Sequence, residues 1–283
     1  MAELGRWTRG MRAGLGADGA YGAVVPPLYL STNFTFHGFD EPREYDYTRS
    51  GNPTRDVLND ALAALEGGAG ATSVATGLAA ITLVAEAFVP AGGRVVVQHD
   101  AYGGTWRLFT FLASQGRFEV DFVDFNDGAA LDEALDRSPA LVWIETPSNP
   151  LLRITDIAAT AARAHAVGAL VAADNTFLSP LLQRPLEHGV DIVIHSTTKF
   201  INGHSDVVGG AAVAANPEVH TKLRLWANAL GLTSSPFDAY LTLRGLRTLD
   251  ARLRVHESNT AALVRLLDGH PAVAALHYPG LAS

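Results

Sequence analysis

Cysteine is absent from the 283 residues and lysine nearly so: 21 basic residues less the two lysines, Lys199 and Lys222, leaves 19 arginines. The first absence excludes disulfides, thiolate metal sites and cysteine nucleophiles together, and it suits a reducing, cytoplasmic setting. Blocks of like charge are missing too, and the net charge of −8 argues against a nucleic-acid partner. So are long hydrophobic runs. The most apolar stretch, GLAAITLVAEAFVPAGG, is broken by Glu86 and Pro90 and falls short of the roughly 20 apolar residues that span a bilayer. The N-terminal MAELGRWTRGMRAGLGADGAYG has no apolar core of the kind a signal peptide needs. The expectation is a soluble protein with neither nucleic acid nor membrane as partner.

What is present is material for a large core, with 48% hydrophobic and 18% charged residues. Residues 1–50 read as an irregular arm. The run NPTRDVLNDALAALEGG then predicts a helix, with Asn52 as N-cap, Pro53 in its first position and Gly67 just past its end. Beyond it, apolar strand-like runs alternate with helical ones: ATSVA, RVVVQ, FEVDFVDF, ALVWIE, LVAAD and DIVIHS are each followed by a helical or loop segment. The runs are continuously apolar, as in strands covered on both faces, so the fold class is α/β with a mostly parallel sheet. Residues 51–235 form the large domain in this reading. From about 217 the pattern turns helical, with a long stretch from Pro236 to Gly269 broken or kinked once, and VAALHYPGLAS closes as a strand and a loop. Residues 236–283 are taken as connecting helices and the start of a further domain.

Ligands of open α/β sheets bind at the carboxyl ends of the strands. The polar residues there are Thr76-Gly77, His99-Asp100-Ala101-Tyr102, Pro147-Ser148-Asn149-Pro150, Asp174-Asn175-Thr176 and Ser196-Thr197-Thr198-Lys199. All would meet at one rim. Gly77 opens a helix, whose free N–H groups suit a phosphate, and Ser196 and Thr198 add hydroxyls. Asp174 ends an apolar strand and needs a cationic or hydrogen-bonding partner. Lys199 at a strand end would be partly desolvated and nucleophilic, a role closed to the permanently charged arginine. A phosphate cradle, a buried acid, an aromatic ring and a reactive lysine together match pyridoxal phosphate held as a Schiff base. Singly, each has a plainer reading: Asp174 as a turn residue, Lys199 as a solvated lysine, Gly77 as a turn glycine, Tyr102 as rim packing. His195, His204 and Asp206 fit no familiar metal-ligand spacing, so no metal is expected. GAGATS lacks the third glycine of a dinucleotide fingerprint, and Lys199 lacks a P-loop.

Assembled in order, YGAVVPPLYLSTNFTF, YDYTRSGNPTRDVLNDALAALEGG, DAYGGTWRLF, ETPSNPLLRITDI, ADNTFLSPLLQRPLEHGVDIVIHSTTKFINGHSDVVGG and the closing YPGLAS resemble the transsulfuration (Cys/Met metabolism) family of pyridoxal-phosphate enzymes. The likeness runs from about residue 8 to the end and leans to the family's cystathionine γ-synthase branch. It implies fold type I, a seven-stranded sheet flanked by helices behind an N-terminal arm. In that pattern Lys199 bonds the cofactor, Asp174 partners its ring nitrogen, Tyr102 stacks on the ring and acts in proton transfer, and Asn149 lies near its phenolic oxygen, with Thr176 beside Asp174. The Gly77 and Leu78 amides and the Ser196 and Thr198 hydroxyls would bind its phosphate. Tyr47 and Arg49 would reach a neighbouring subunit's phosphate, which implies a homo-oligomer, typically a tetramer. Asp46, Arg107, Tyr47 and Asn149 would contact an amino-acid substrate. The implied reaction is γ-replacement on an O-acylated homoserine, such as O-succinylhomoserine, by cysteine to give cystathionine in methionine biosynthesis. γ-Lyase or homoserine-ester sulfhydrylase activity is the alternative. Two departures stand out: Leu78 replaces the family's methionine, and relatives continue for roughly a hundred residues, a domain's worth, carrying the arginine that grips the substrate α-carboxylate. The expectation is therefore a chain without that C-terminal domain, with a non-catalytic cofactor-binding remnant as the alternative of another class.

Overall fold

Seven strands make one sheet in the computed structural model, which describes residues 5–281. They are β1 (Gly70–Val74), β2 (Arg94–Gln98), β3 (Glu119–Val123), β4 (Leu141–Glu145), β5 (Leu170–Asp174), β6 (Ile192–His195) and β7 (Gly210–Ala214), in the order β1-β7-β6-β5-β4-β2-β3. The run from β3 through β6 is parallel, and β7 lies antiparallel between β6 and β1. The apolar runs thus become the parallel strands they predict. Among the described residues β7 is the strand that the pattern did not mark, because GAAVA is too small-sided to stand out from the glycine-rich loop before it.

Helices cover both faces. On one side α2 (Pro53–Glu66), α5 (Gly128–Leu135), α6 (Ile157–Ala166), α9 (Pro236–Leu246) and α10 (Leu249–Leu267) pack Leu62, Leu131, Ala161, Leu243 and Leu253 against Val142, Val171, Val193 and Val213. On the other, α3 (Gly77–Phe88), α4 (Gly103–Ser114) and α8 (Pro217–Leu230) pack Val84, Phe109 and Leu223 against Val97, Trp143, Ile192 and Ile194. Burial on both faces is why the inner strands do not alternate, whereas the edge strand β3, EVDFV, is only partly buried and does.

The predicted borders of α2 hold: Asn52 Oδ1 accepts the Thr54 and Arg55 N–H groups at 3.0 and 3.4 Å, and Gly67 leaves the helix at φ +79°. The one-turn helix α7 (Ser179–Leu182) follows β5, and the long helical stretch divides at Arg247–Thr248 into α9 and α10. Two expectations need correction. The arm contains a helix, α1 (Arg6–Met11), whose Trp7 packs on the core. No strand forms over 273–281, because that segment pairs with no other strand; Ala282 and Ser283 lie outside the described residues. At the open edge of β1, Asn59 Oδ1 accepts the Ser73 N–H at 2.9 Å and His220 Nε2 lies 3.2 Å from the Ala71 carbonyl, so side chains occupy that edge.

Candidate active site

The carboxyl ends of β1, β2, β4, β5 and β6 share one rim, and the amino end of antiparallel β7 joins them. Glycine sets how closely these ends approach. A Cβ on Gly77 would lie 2.8 Å from Ser196 Cβ, and one on Gly210 would strike the Thr76 carbonyl at 2.1 Å. Thr76 caps α3, its hydroxyl accepting the Ala79 N–H at 2.9 Å. The Gly77 and Leu78 amides at the start of that helix have no intrahelical acceptor, and Gly77 sits against Ser196. The Ser196 N–H in turn donates to Thr176 Oγ1 at 2.7 Å, and the Thr176 N–H to Asp174 Oδ1 at 3.0 Å. Thr198 exchanges hydrogen bonds with Gly209, its hydroxyl accepting the amide at 3.0 Å and donating to the carbonyl at 3.2 Å. Thr198 therefore spends its hydroxyl on the loop to β7.

Lys199 lies in the turn beyond β6. Its carbonyl accepts the Gly203 N–H at 2.8 Å, while its side chain is exposed. This differs from the expected desolvation: the turn carries Lys199 past the strand end, and among the described residues it remains exposed. Tyr102 is the N-cap residue of α4, 45% exposed, and its ring lies against Gly104, where a Cβ would approach to 2.4 Å. The second glycine of YGG thus makes room for the ring.

Glu145, which the sequence reading did not single out, joins three of these residues. Its carboxylate accepts the Tyr102 N–H on Oε2 at 2.7 Å and the Asn149 N–H on Oε1 at 3.2 Å, and it stands opposite Asp174 in the β4–β5 register. Burial, then the Asp174 charge, pushes the Glu145 carboxyl up to about 8. Burial raises Asp174 as well, opposed by the Thr176 hydrogen bonds and the nearby His195. The signal for Glu145 was a charged residue ending an apolar strand directly before TPSNP, where the Thr146–Pro147 and Asn149–Pro150 bonds are cis. Gln98, Asp100 and Ser148 tie the loops after β2 and β4 together: Gln98 Nε2 donates to Asp100 Oδ1 at 2.9 Å, and the Ser148 hydroxyl donates to Asp100 Oδ2.

Other candidates scatter. Arg107 is exposed and shares a shallow cavity of about 520 Å³ with Leu78, Gly104, Trp106 and Phe111, which brings it beside the cradle. Asp46, Tyr47 and Arg49 stay on the arm. Arg49 donates to the Asn228 carbonyl at 2.6 Å and to its Oδ1 at 2.8 Å, beyond the β1 edge, and its guanidinium lies over the Tyr47 ring. His195 is fully buried on Glu66, whereas His204 faces the Asn202 carbonyl. Among the described residues no cluster of three or more His, Asp or Glu could hold a metal, and no helix is long and apolar enough to cross a membrane.

The donor set fits pyridoxal phosphate. The Gly77–Ser196 approach leaves a cradle that any side chain would fill, and the same set of strand ends carries the Ser196 hydroxyl, the Asp174 carboxylate, the Tyr102 ring and the Lys199 amine.

Comparison with known proteins agrees. A family model described as "Cys/Met metabolism PLP-dependent enzyme" matches residues 7–283. The chain is 52% identical to cystathionine gamma-synthase of Escherichia coli (strain K12) over 274 residues, covering 97% of this chain and 71% of that protein. It is 44% identical to cystathionine gamma-lyase of Dictyostelium discoideum over 282 residues, covering 98% and 71%. The crystal structure of cystathionine gamma synthase from Xanthomonas oryzae pv. oryzae, in complex with aminoacrylate and cysteine, superposes with a TM-score of 0.98 at 60% identity, covering 100% of this chain and 73% of that one.

Proposed function

Since the chain belongs to the Cys/Met metabolism family of pyridoxal-phosphate-dependent enzymes, we propose that it makes cystathionine by γ-replacement, cysteine displacing the acyl group of an O-acylated homoserine such as O-succinylhomoserine. The observation that carries this reading is the rim: the amine of Lys199 stands at the strand ends that also bear Asp174, Tyr102 and the Gly77–Ser196 cradle. The synthase branch is favoured over the lyase branch because the Escherichia coli and Xanthomonas oryzae synthases, at 52% and 60% identity, are more similar to this chain than the Dictyostelium discoideum lyase at 44%.

Pyridoxal phosphate, when bound, supplies an electron-withdrawing ring that stabilises negative charge developing on substrate carbons. The chain's own residues do the rest. Gly77 and Leu78 amides with Ser196 and Thr198 would hold the phosphate, Thr198 by releasing its bond to Gly209. Asp174, kept in place by the Thr176 amide, would hold the proton of the ring nitrogen. Tyr102 would cover the ring face and Asn149 the phenolic oxygen. Lys199 Nζ would bond the cofactor and then carry protons at substrate Cα and Cβ. Arg107 would take the distal carboxylate of the substrate and Asp46 its ammonium group. Tyr47 and Arg49, with Arg49 bonded to Asn228 and lying over the Tyr47 ring, would serve a second copy, so the working form would be a homo-oligomer. Residues 51–235 would be the cofactor-binding domain.

Purified chain supplied with pyridoxal phosphate should show a visible band that disappears in Lys199→Ala, and should form cystathionine from O-succinylhomoserine and cysteine. Breakdown of cystathionine without its formation would replace the synthase by the lyase. A Lys199 adduct without any turnover would leave a cofactor-binding protein.

A further inference from the structure

Beneath the rim, on the α2 side of the sheet, lies a polar cluster that the proposed chemistry does not use. Glu66, the last residue of α2, His195, the last of β6, and Asn175, directly after β5, are each 0% exposed. His195 Nε2 lies 2.6 Å from Glu66 Oε1, and Asn175 Nδ2 donates to the same oxygen at 2.8 Å. Asn175 Nδ2 also donates to the Gln183 carbonyl at 2.8 Å. Gln183 Nε2 returns a bond to Asn175 Oδ1 at 3.1 Å and continues to the Thr146 carbonyl at 2.7 Å.

The surrounding layer is apolar: Leu62, Leu65, Ala173, Val193 and Ala211 all belong to the same core. A buried ionisable pair is a poor stabiliser, since well-packed apolar residues often do as well or better. This one also leaves Glu66 Oε2 and His195 Nδ1 without partners. Its connections are more telling. Every strand-end loop that bears a cofactor candidate on β4, β5 and β6 starts from it: Thr146 leads to Asn149, Asn175 adjoins Asp174, and His195 adjoins Ser196. The groups facing Asp174 are Glu145 across the strand pair, Thr176 and His195, and His195 alone among the ionisable groups acting on it lowers its proton affinity.

We propose that Glu66, with His195 and Asn175, is a positioning node for the cofactor site: it fixes the strand-end loops of β4, β5 and β6 against one another. This rests on the reading of Asp174, Ser196 and Asn149 as cofactor residues. A merely structural cluster would affect folding alone, whereas a positioning node acts on the cofactor's environment even in a folded chain.

The test uses the full chain with pyridoxal phosphate and two variants, Glu66→Gln and the apolar double substitution Glu66→Leu with His195→Leu. The second guards against misfolding, because it removes both members of the pair at once. Melting is followed without cofactor. Cofactor affinity, the pH midpoint of the visible band and borohydride trapping on Lys199 are followed with it. In whichever variant melts cooperatively, the expected result is trapping still on Lys199, affinity weakened about tenfold as when outer partners of a bound group are lost, and a midpoint moved by about one unit. Folded variants with the parent's affinity and midpoint overturn the node while leaving the site reading intact, and so does failure of both variants to fold, which makes the cluster structural. A parent chain with no band, or with an adduct away from Lys199, overturns both readings.

Discussion

The strand-end rim and the arm of residues 12–50 both bear residues assigned to the cofactor, yet they are held in different ways. The Lys199 turn is clamped from outside: Arg252 of α10 donates to the Phe200 carbonyl at 2.7 Å and to the Gly245 carbonyl at 2.9 Å. Glycine permits this closeness, because a Cβ on Gly203 would meet the Arg252 guanidinium at 2.0 Å and one on Gly245 would meet the Asn202 carbonyl at 2.1 Å. The arm is held by bonds within itself, Phe34 N–H to the Asp46 carbonyl and Thr48 N–H to the Thr32 carbonyl, both at 2.8 Å, and by bonds to α2, where Arg55 donates to the Thr48 carbonyl at 2.6 Å and the Tyr29 N–H donates to Thr54 Oγ1 at 2.9 Å. Its Tyr21 and Phe39 are wholly exposed. Residues on the rim are thus preorganised by their own chain, and residues on the arm are presented outward. The same family signature spans two mechanical situations.

The contrast predicts a graded series. Lys199→Ala should reduce turnover by at least ~10³-fold, the scale of losing a positioned proton-transfer group, with little change in melting temperature, since the side chain is exposed. Steady-state rates beside a thermal melt would check it; a large drop in melting temperature would show that Lys199 supports the fold. Arg252→Gln comes next. It removes charge-assisted bonds to three carbonyls, those of Phe200, Ile201 and Gly245, and should lower stability by about 2 kcal/mol in urea unfolding. It should also slow reductive trapping on Lys199, because the turn loosens.

Glu145 tests the rim through pH. In the unfolded chain its carboxyl ionises near 4.5, whereas in the folded chain burial beside Asp174 lifts it to about 8. Between those values the unfolded state has released a proton that the folded state keeps, so stability falls as pH rises and levels off above about 8. Its contribution is complete below 4.5. Glu145→Gln cannot ionise, so the stability gap between pH 5 and pH 8.5 should narrow by a few kcal/mol at most. The raised Asp174 carboxyl contributes in the same sense and remains in the variant. Urea midpoints at the two pH values decide; an unchanged gap would mean Glu145 is already ionised in the folded protein.

How much of this was legible in the sequence follows the same division. RVVVQ, ALVWIE, LVAAD and DIVIHS announced parallel strands because both their faces are buried, and Asn52-Pro53 with Gly67 marked α2 through local capping chemistry. Lys199 stood out by the scarcity of lysine. Glu145 and Glu66 did not stand out, and His195 stood out only as a weak metal-ligand candidate, because their meaning depends on register and on which helix covers which strand. Those are properties of strand pairing across 29 residues between Glu145 and Asp174, and of packing across 129 between Glu66 and His195. β7 was hidden for another reason: its small side chains suit the close approach of Gly210 to Thr76, and smallness is not a strand signal.

Arg49 has the smallest expected effect on the single chain and the sharpest logic. Its side chain is exposed, and its removal loses two hydrogen bonds to Asn228 and a stacked contact with Tyr47. Arg49→Ala should therefore change stability by no more than about 1 kcal/mol. If the arm serves a neighbour, however, Arg49→Ala and Lys199→Ala chains, each deficient alone, should complement when unfolded and refolded together. In a mixed pair the site with Lys199 intact receives its arginine from the partner. Random pairing makes half of the dimers mixed, each with one working site, so activity should recover to about a quarter of the parent's. Recovery at that level places Arg49 across the interface. No recovery, with mixed dimers demonstrated, returns Arg49 to its own chain and removes the distinction between rim and arm.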